Sequence, residues 1–311
     1  MDAITGAIKA IEYDLPTVER RYDELMKNHT SFRIGGPVRA MYFPCEVSEF
    51  ETLYRVLIEN GVTPFIMGNG TNLLVCDEPL EMVVISTTGL DNIRHMGEFE
   101  ISAGAGVLLS KLAVFACKLG LEGLEFAHGI PGSLGGAVYM NAGAYGGEMR
   151  DVVKYTTAFS ASAAGIFKVI ESEHGFSYRN SRFAEKDEIV LGTVLHLRDG
   201  NPESIRAKMD DLSIRRRDSQ PLDMPSAGSV FKRPKDGYAG SMIEQAGLKG
   251  FTVGGAQVSE KHAGFIVNRG GATFSDVMKI IEHVQETVFK KFGVKLEPEI
   301  KTIRGEIWTL S

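Results

Sequence analysis

The stretch GIPGSLGGAVYMNAGAYGGE, residues 129–148, is dense in glycine and small side chains and interrupts a chain of otherwise ordinary composition. Pro131 can open a helix, and the small residues after it let a second backbone or a flat ligand come close. Gly132, Ser133, Gly135 and Gly136 lead this surface; Asn141, Ala142, Gly143 and Tyr145 extend it. Close packing of a helix on a sheet would draw on the same residues, so two readings stand. A second loop bears on the choice. Gly68-Asn69-Gly70-Thr71-Asn72 follows PFIM, a predicted buried strand, and its glycines let successive N–H groups point into one concavity, with Thr71 and Asn72 adding side-chain donors. Such a nest suits phosphate oxygens, although a tight surface turn has the same composition. No Gly-Lys-Ser/Thr follows, and Leu73 stands where a Rossmann fingerprint has its third glycine. Two glycine-rich loops in consecutive units point to a dinucleotide, its pyrophosphate at one loop and its ring system near the other.

At 311 residues and 43% hydrophobic, the chain supports two or three folding units. Its formal net charge of -6 argues against a nucleic-acid binder but leaves room for a local basic pocket facing a small anion. Cys45, Cys76 and Cys117 lack CxxC spacing and read as buried thiols of a reducing compartment, not as a zinc site or disulfide framework. The N-terminal MDAITGAIKAIEYDLP has no signal-peptide core. No run reaches the roughly 20 apolar residues of a membrane span. A soluble cytoplasmic protein is expected.

The element pattern is α+β. SEFETLYRVLIENG reads as a helix with a Ser48/Glu51 capping box, closing on Gly61, and EMVVIS as a strand. EFEISAGAG begins a second unit, followed by the helix LSKLAVFACKLG. VVKYTTAFS, IFKVIES and EIVLGTVLHL then read as antiparallel strands. SDVMKIIEHVQETVFKKFG is a helix capped by Ser275 and ended by Gly293. The turn LRDGNPES, between His196 and Ser204, marks the expected boundary.

Three residues invite chemistry. Arg179, in Tyr178-Arg179-Asn180-Ser181-Arg182-Phe183, could hold a carboxylate in a two-pronged hydrogen bond, or simply sit on the surface. In Leu296-Glu297-Pro298-Glu299-Ile300 one acid should face solvent and the other inward. Ser229, in PSAGSVFKRP, stands outside any G-x-S-x-G elbow and beside no evident base. It is a poor nucleophile, yet it can deliver a proton to a carbanion or enolate, unless it only caps its loop. His128 and His262 adjoin glycine-rich segments without metal-ligand spacing. Arg215-Arg216-Arg217 reads as a solvated helix end, with a phosphate-facing role as the alternative.

Taken in order, HTSFRIGGP (29–37), GNGTNLLV, GIPGSLGGAVYMNAGAYGGE, YRNSRF, AGSVFKRP, AGLKGFTVGGAQVSEKHAGFIVN and LEPEI resemble the UDP-N-acetylenolpyruvoylglucosamine reductases, the MurB family, over nearly everything from Asn28 to Arg304. The resemblance implies a two-subdomain FAD-binding domain of the PCMH-type flavin fold, followed by an α+β substrate-binding domain. The divisions would be an N-terminal extension at 1–27, FAD-binding subdomains at 28–90 and 91–200, and the substrate domain at 201–311. NADPH would reduce FAD, and the flavin would reduce the enolpyruvyl group of the UDP-sugar to the D-lactyl ether, a step of peptidoglycan precursor synthesis. The pyrophosphate would lie at Gly68–Asn72 and the isoalloxazine near Gly132–Tyr145. Arg179 would bind the substrate carboxylate, Glu299 would stabilise the enolic intermediate, and Ser229 would protonate it. Arg182 blurs the register of the arginine motif. The chain is similar to the shorter branch, without the inserted segment that closes over substrate. Arg217, Lys232, Gln257 and Asn268 are candidates for contacting diphosphate or uridine. No nucleic-acid, membrane or metal partner is implied. An FAD-dependent alcohol oxidase or dehydrogenase of the same flavin-binding superfamily is the competing reading, and a non-catalytic UDP-sugar or nucleotide sensor a third.

Overall fold

The computed structural model describes residues 2–163 and 165–305. The chain forms two compact units that are not collinear with sequence: 1–22, 40–69 and 82–216 make the first, and 23–39, 70–81 and 217–311 the second.

The first unit carries two sheets, each with its own core. Most of a four-stranded sheet lies here, in the order Glu19–Leu25, Pro37–Phe43, Leu80–Ser86, Phe65–Met67. Leu80–Ser86 is buried at every position but Glu81, as an apolar run covered on both faces should be. The helix Val47–Glu59 lays Phe50, Leu53 and Leu57 into this core. It starts earlier than the Ser48/Glu51 box implies: Glu46 is the N-cap, and Glu49 Oε2 accepts from the Cys45 and Glu46 N–H groups. The first residues are not an appendage. Asp2 caps a helix, Ala3–Asp14, whose Ala7 and Ile11 are fully buried in the same core.

The second sheet has five strands in the order Gly165–Ile170, Val153–Ser160, Glu188–His196, Glu100–Gly104, Ile93–Gly97, every neighbour antiparallel. The helices Leu109–Lys118 and Leu134–Tyr139 join its core through Leu112, Leu134 and Val138. Leu134 follows Pro131 by three residues, with Ser133 as N-cap, so the proline precedes this helix instead of opening it. The LRDGNPES turn exists, and Asn201 accepts from the Glu203 and Ser204 N–H groups. The helix it starts, Pro202–Ser219, buries Ile205 and Met209 in the first unit's core, so the division falls after Arg216 and not near residue 200.

In the second unit, Thr252–Val253, Ala256–Val258 and Ile266–Asn268 form an antiparallel sheet. The helix Phe274–Phe292 packs on it with Val277, Ile281, Val284 and Val288 buried. Thr273 caps that helix, two residues before the expected Ser275, and Gly293 ends it at φ 69°. Leu73–Val75 pairs in parallel with Lys301–Ile303, which is why 70–81 belongs to this unit despite its place in the sequence. Cys76 and Cys117 are buried; Cys45 is exposed, contrary to the expectation for all three.

Candidate active site

In the first unit the two glycine loops meet. The strand Phe65–Met67 delivers Gly68 against Ser133, so closely that a Cβ on Gly68 would run into Ser133 Oγ. Ser133 is 2% exposed, and among the described residues its hydroxyl has no hydrogen-bond partner. Leaving a buried hydroxyl unsatisfied costs about 1–3 kcal/mol, which an oxygen of a bound ligand would relieve. The cradle and its orphaned hydroxyl fit a dinucleotide. Gly135 serves the packing of the loop instead. Its N–H donates to Ala105 O at 2.8 Å, and a Cβ there would crowd Ala105.

Asn141 and Ala142 are tied into the loop by internal hydrogen bonds. Buried Asn141 donates from Nδ2 to Glu148 Oε2 (2.9 Å) and Ser177 O (3.0 Å), and accepts at Oδ1 from Arg150 N–H (3.0 Å). Ala142 N–H donates to Ala137 O and Ala142 O accepts from Met149 N–H. Ser181 Oγ adds a bond to Tyr139 O at 2.8 Å. These ties fasten the Tyr178-Arg179 turn to the glycine loop. Ser177 and Asn180 close that turn by exchanging backbone bonds, which forces Arg179 to φ 55°. A left-handed arginine costs on the order of 1 kcal/mol, and such strain concentrates at functional positions. Both terminal nitrogens of Arg179 reach Gly143 O at 3.4 Å. Arg182 is occupied elsewhere: its fork grips Glu188 through two bonds of 2.7 Å. Tyr145, at φ 54°, is largely exposed.

Two further residues bear on the site, and of these only Arg216 has a sequence signal, as part of the Arg215-Arg216-Arg217 run. His174 is fully buried under the arginine turn, sharing a 2.8 Å hydrogen bond with Thr156 Oγ1 and stacking on Phe176 at 4.7 Å. Burial pushes its imidazole below the usual range. Arg216 is the member of the basic run that turns inward, beside Gly129, whose absent Cβ would lie 3.1 Å from Arg216 Cδ. Burial lowers its pKa; Tyr145 opposes that and Arg179 adds to it. Arg217 is exposed, and its carbonyl accepts from the Lys261 ammonium. His128 bonds Ser213 Oγ at 3.0 Å.

The second unit assembles Ser229 and Glu299 on neighbouring segments. Ser229 bridges Phe265, Val230 N–H donates to Gly264 O at 2.9 Å, and Glu299 N–H donates to Val230 O at 2.7 Å. Glu299 is half-buried and Glu297 exposed, the split expected around Pro298. Among the described residues no histidine or carboxylate hydrogen-bonds the Ser229 hydroxyl, so nothing there activates it as a nucleophile. Gly70, at φ 61°, accepts from Ser31 N–H, and Ser31 Oγ donates to Ser226 O at 2.6 Å. Asn72 Nδ2 donates to Glu299 O at 3.1 Å.

The proposed substrate contacts divide. Asn268 is committed internally: Nδ2 donates to Phe32 O (3.1 Å), and Oδ1 accepts from Gly270 and Ala272 N–H. Gln257 Nε2 likewise donates to Gly250 O and Thr252 Oγ1. Lys232 Nζ lies 3.4 Å from Glu297 Oε2 in a partly exposed pair. His262 Nδ1 accepts from Gly264 N–H, and burial pushes its pKa down. No cluster of metal-ligating side chains occurs among the described residues, and no helix among them is long and apolar enough to cross a membrane.

Residues 220–303 match the family described as UDP-N-acetylenolpyruvoylglucosamine reductase, C-terminal domain, and residues 38–164 match the FAD binding domain family. A UDP-N-acetylenolpyruvoylglucosamine reductase of Caldanaerobacter subterraneus subsp. tengcongensis is 50% identical over 281 residues, 90% of this chain and 92% of its own. The chain belongs to the MurB family. The reductase of Thermotoga maritima is 47% identical over 92% of this chain and 97% of its own. The crystal structure of MurB from Thermus caldophilus superposes with a TM-score of 0.79 at 34% identity, covering 92% of this chain and 99% of that one. The FAD binding domain match, 38–164, covers parts of both sheets of the first unit, and the C-terminal family match falls in the second unit.

Proposed function

We propose that this chain reduces the enolpyruvyl group of UDP-N-acetylglucosamine enolpyruvate to the D-lactyl ether, giving UDP-N-acetylmuramate for peptidoglycan precursor synthesis. NADPH is the electron source and FAD the cofactor. The observation that carries this reading is the 50% identity to a reductase of that name over 90% of the chain. The protein works on small molecules, in the cytoplasm where NADPH and sugar nucleotides are held.

FAD, when bound, would supply hydride chemistry for the enolpyruvyl double bond, with NADPH as the electron source. The chain's residues manage the charge that this creates. Arg179, presented by its strained turn, grips the substrate carboxylate with a planar fork as negative charge grows on the adjoining carbon. Glu299 stabilises the enolic species by hydrogen bonding. Ser229 gives its proton to the carbon next to the carboxylate and fixes the new stereocentre. A serine in this role needs no base, because it acts as the acid. Gly68 and Ser133 hold FAD, with Asn69, Gly70, Thr71, Gly132, Gly136, Gly143 and Tyr145 continuing the cradle. The second unit's C-terminal stretch receives the sugar nucleotide.

The test is anaerobic and aerobic turnover of the FAD-loaded protein. NADPH is consumed one for one on adding the enolpyruvyl UDP-sugar, without oxygen uptake. Oxygen consumption with an alcohol substrate, and none of this reduction, would replace the reading with an oxidase.

A further inference from the structure

Lys301 opens the strand Lys301–Ile303, opposite Leu73, and its backbone N–H donates to Asn72 O at 2.9 Å. Its main chain is therefore fixed at the exit of the Gly70–Asn72 loop, two residues beyond Glu299. The side chain is half-buried, and among the described residues its ammonium has no hydrogen-bond or ion-pair partner. The charge it senses most is another cation, Lys232, whose backbone N–H is tied to Glu297 O at 2.8 Å. Burial first, and Lys232 second, push the Lys301 pKa below the usual lysine range. A half-buried lysine with no counter-ion of its own is an arrangement that an anion stabilises, and Lys232, 3.4 Å from Glu297 Oε2 in a partly exposed pair, keeps part of its charge available to the same anion. A compact ammonium is well suited to a phosphate oxygen.

We propose that Lys301 and Lys232 form a phosphate-binding cation pair at the end of the Gly70–Asn72 loop, taking one phosphate of a diphosphate-bridged ligand. This rests on the proposed function, which brings two such ligands to the protein: FAD, through its pyrophosphate, and the UDP-sugar, through its diphosphate. The chemistry is shared, and binding measurements separate the sources.

The full chain is prepared as wild type, Lys301→Met, Lys301→Arg and Lys232→Met. The apoprotein is titrated with FAD by flavin fluorescence, and the FAD-loaded protein with UDP-N-acetylglucosamine by calorimetry. Losing a charge-assisted bond to phosphate weakens binding on the order of 10-fold or more. Lys301→Met is expected to do so in one arm, FAD or UDP-sugar, and that arm names the ligand. Lys301→Arg stays within about threefold of wild type, Lys232→Met weakens the same arm, and the weakened arm loses part of its salt dependence. With the partnerless cation removed, ligand-free Lys301→Met melts no lower than wild type. Affinities unchanged in both arms for Lys301→Met and Lys232→Met overturn the pair and leave the reductase reading intact. A wild-type chain that binds neither ligand overturns both.

Discussion

Asn72 donates its side-chain amide to the main-chain carbonyl of Glu299 at 3.1 Å, across 227 residues of sequence, while the Glu299 N–H donates to Val230 O at 2.7 Å. The loop expected to hold pyrophosphate thus also sets the backbone of the acid, and the acid's backbone is tied in turn to the residue after Ser229. Asn72→Ala should loosen Glu299 and slow reduction of the sugar nucleotide about 10-fold, the cost of one or so kcal/mol of misplacement. Reduction of the flavin by NADPH should change less than about threefold. Stopped-flow measurement of the two half-reactions checks this; equal losses in both would assign Asn72 to the cofactor instead.

The two arginines of YRNSRF part company in the structure. Arg179 sits in the strained turn at Gly143, and Arg182 is gripped by Glu188. Arg179→Lys should lower kcat/KM for the sugar nucleotide at least about 10-fold, because a point charge does not reproduce the fork. Arg182→Ala should instead cost on the order of 2 kcal/mol of stability by stranding a largely buried carboxylate. Thermal melts and steady-state kinetics on both variants separate these outcomes.

A Cβ on Gly68 would meet the Ser133 hydroxyl and displace it from the cradle. Gly68→Ala should reduce FAD affinity by about 10-fold or more, since one added methyl group in a filled site costs about 1–3 kcal/mol. Ser133→Ala removes the orphaned hydroxyl: the ligand-free protein should melt no lower than wild type, while FAD binds more weakly. Fluorescence titration of the apoproteins and their melting curves decide it.

Burial holds the pKa of His174 below the ordinary 6.5. The folded state then favours the neutral ring, so the unfolded chain binds more protons as pH falls. The stability from this site is fully present above about pH 6.5 and is lost as pH drops from there toward the folded value. Burial acts in the same direction on His128 and His262. Melting temperature should fall between about pH 7.5 and pH 5, and fall less steeply in His174→Gln. A parallel profile for that variant would show that His174 is not the group responsible.

The strands Val153–Ser160 and Glu188–His196 and the helix Phe274–Phe292 are legible in the sequence because their periodicity is local. Helix ends are less so: Glu46 and Thr273 cap where Ser48 and Ser275 look better placed, since a cap is chosen by where the chain enters the packed layer. The unit boundaries escape a linear reading because long-range pairing sets them. Nothing within 70–81 announces a partner at 301–303, and nothing within Pro202–Ser219 announces that Ile205 and Met209 reach back into the first core. Arg179, Ser229 and Glu299 stand out only once seven motifs are seen in family order. Asn141, His174 and Arg216 do not stand out as clasp, support and inward cation, because a hydrogen bond to a distant carbonyl leaves no trace in spacing.

The proposed chemistry depends on a hydroxyl without a base acting as the proton donor. Ser229→Ala should leave NADPH bleaching of the flavin within about twofold of wild type, and slow reoxidation by the enolpyruvyl UDP-sugar by at least about 100-fold, the loss of roughly 3 kcal/mol of transition-state stabilisation. Equal damage to both half-reactions, or reoxidation at the wild-type rate, would contradict it.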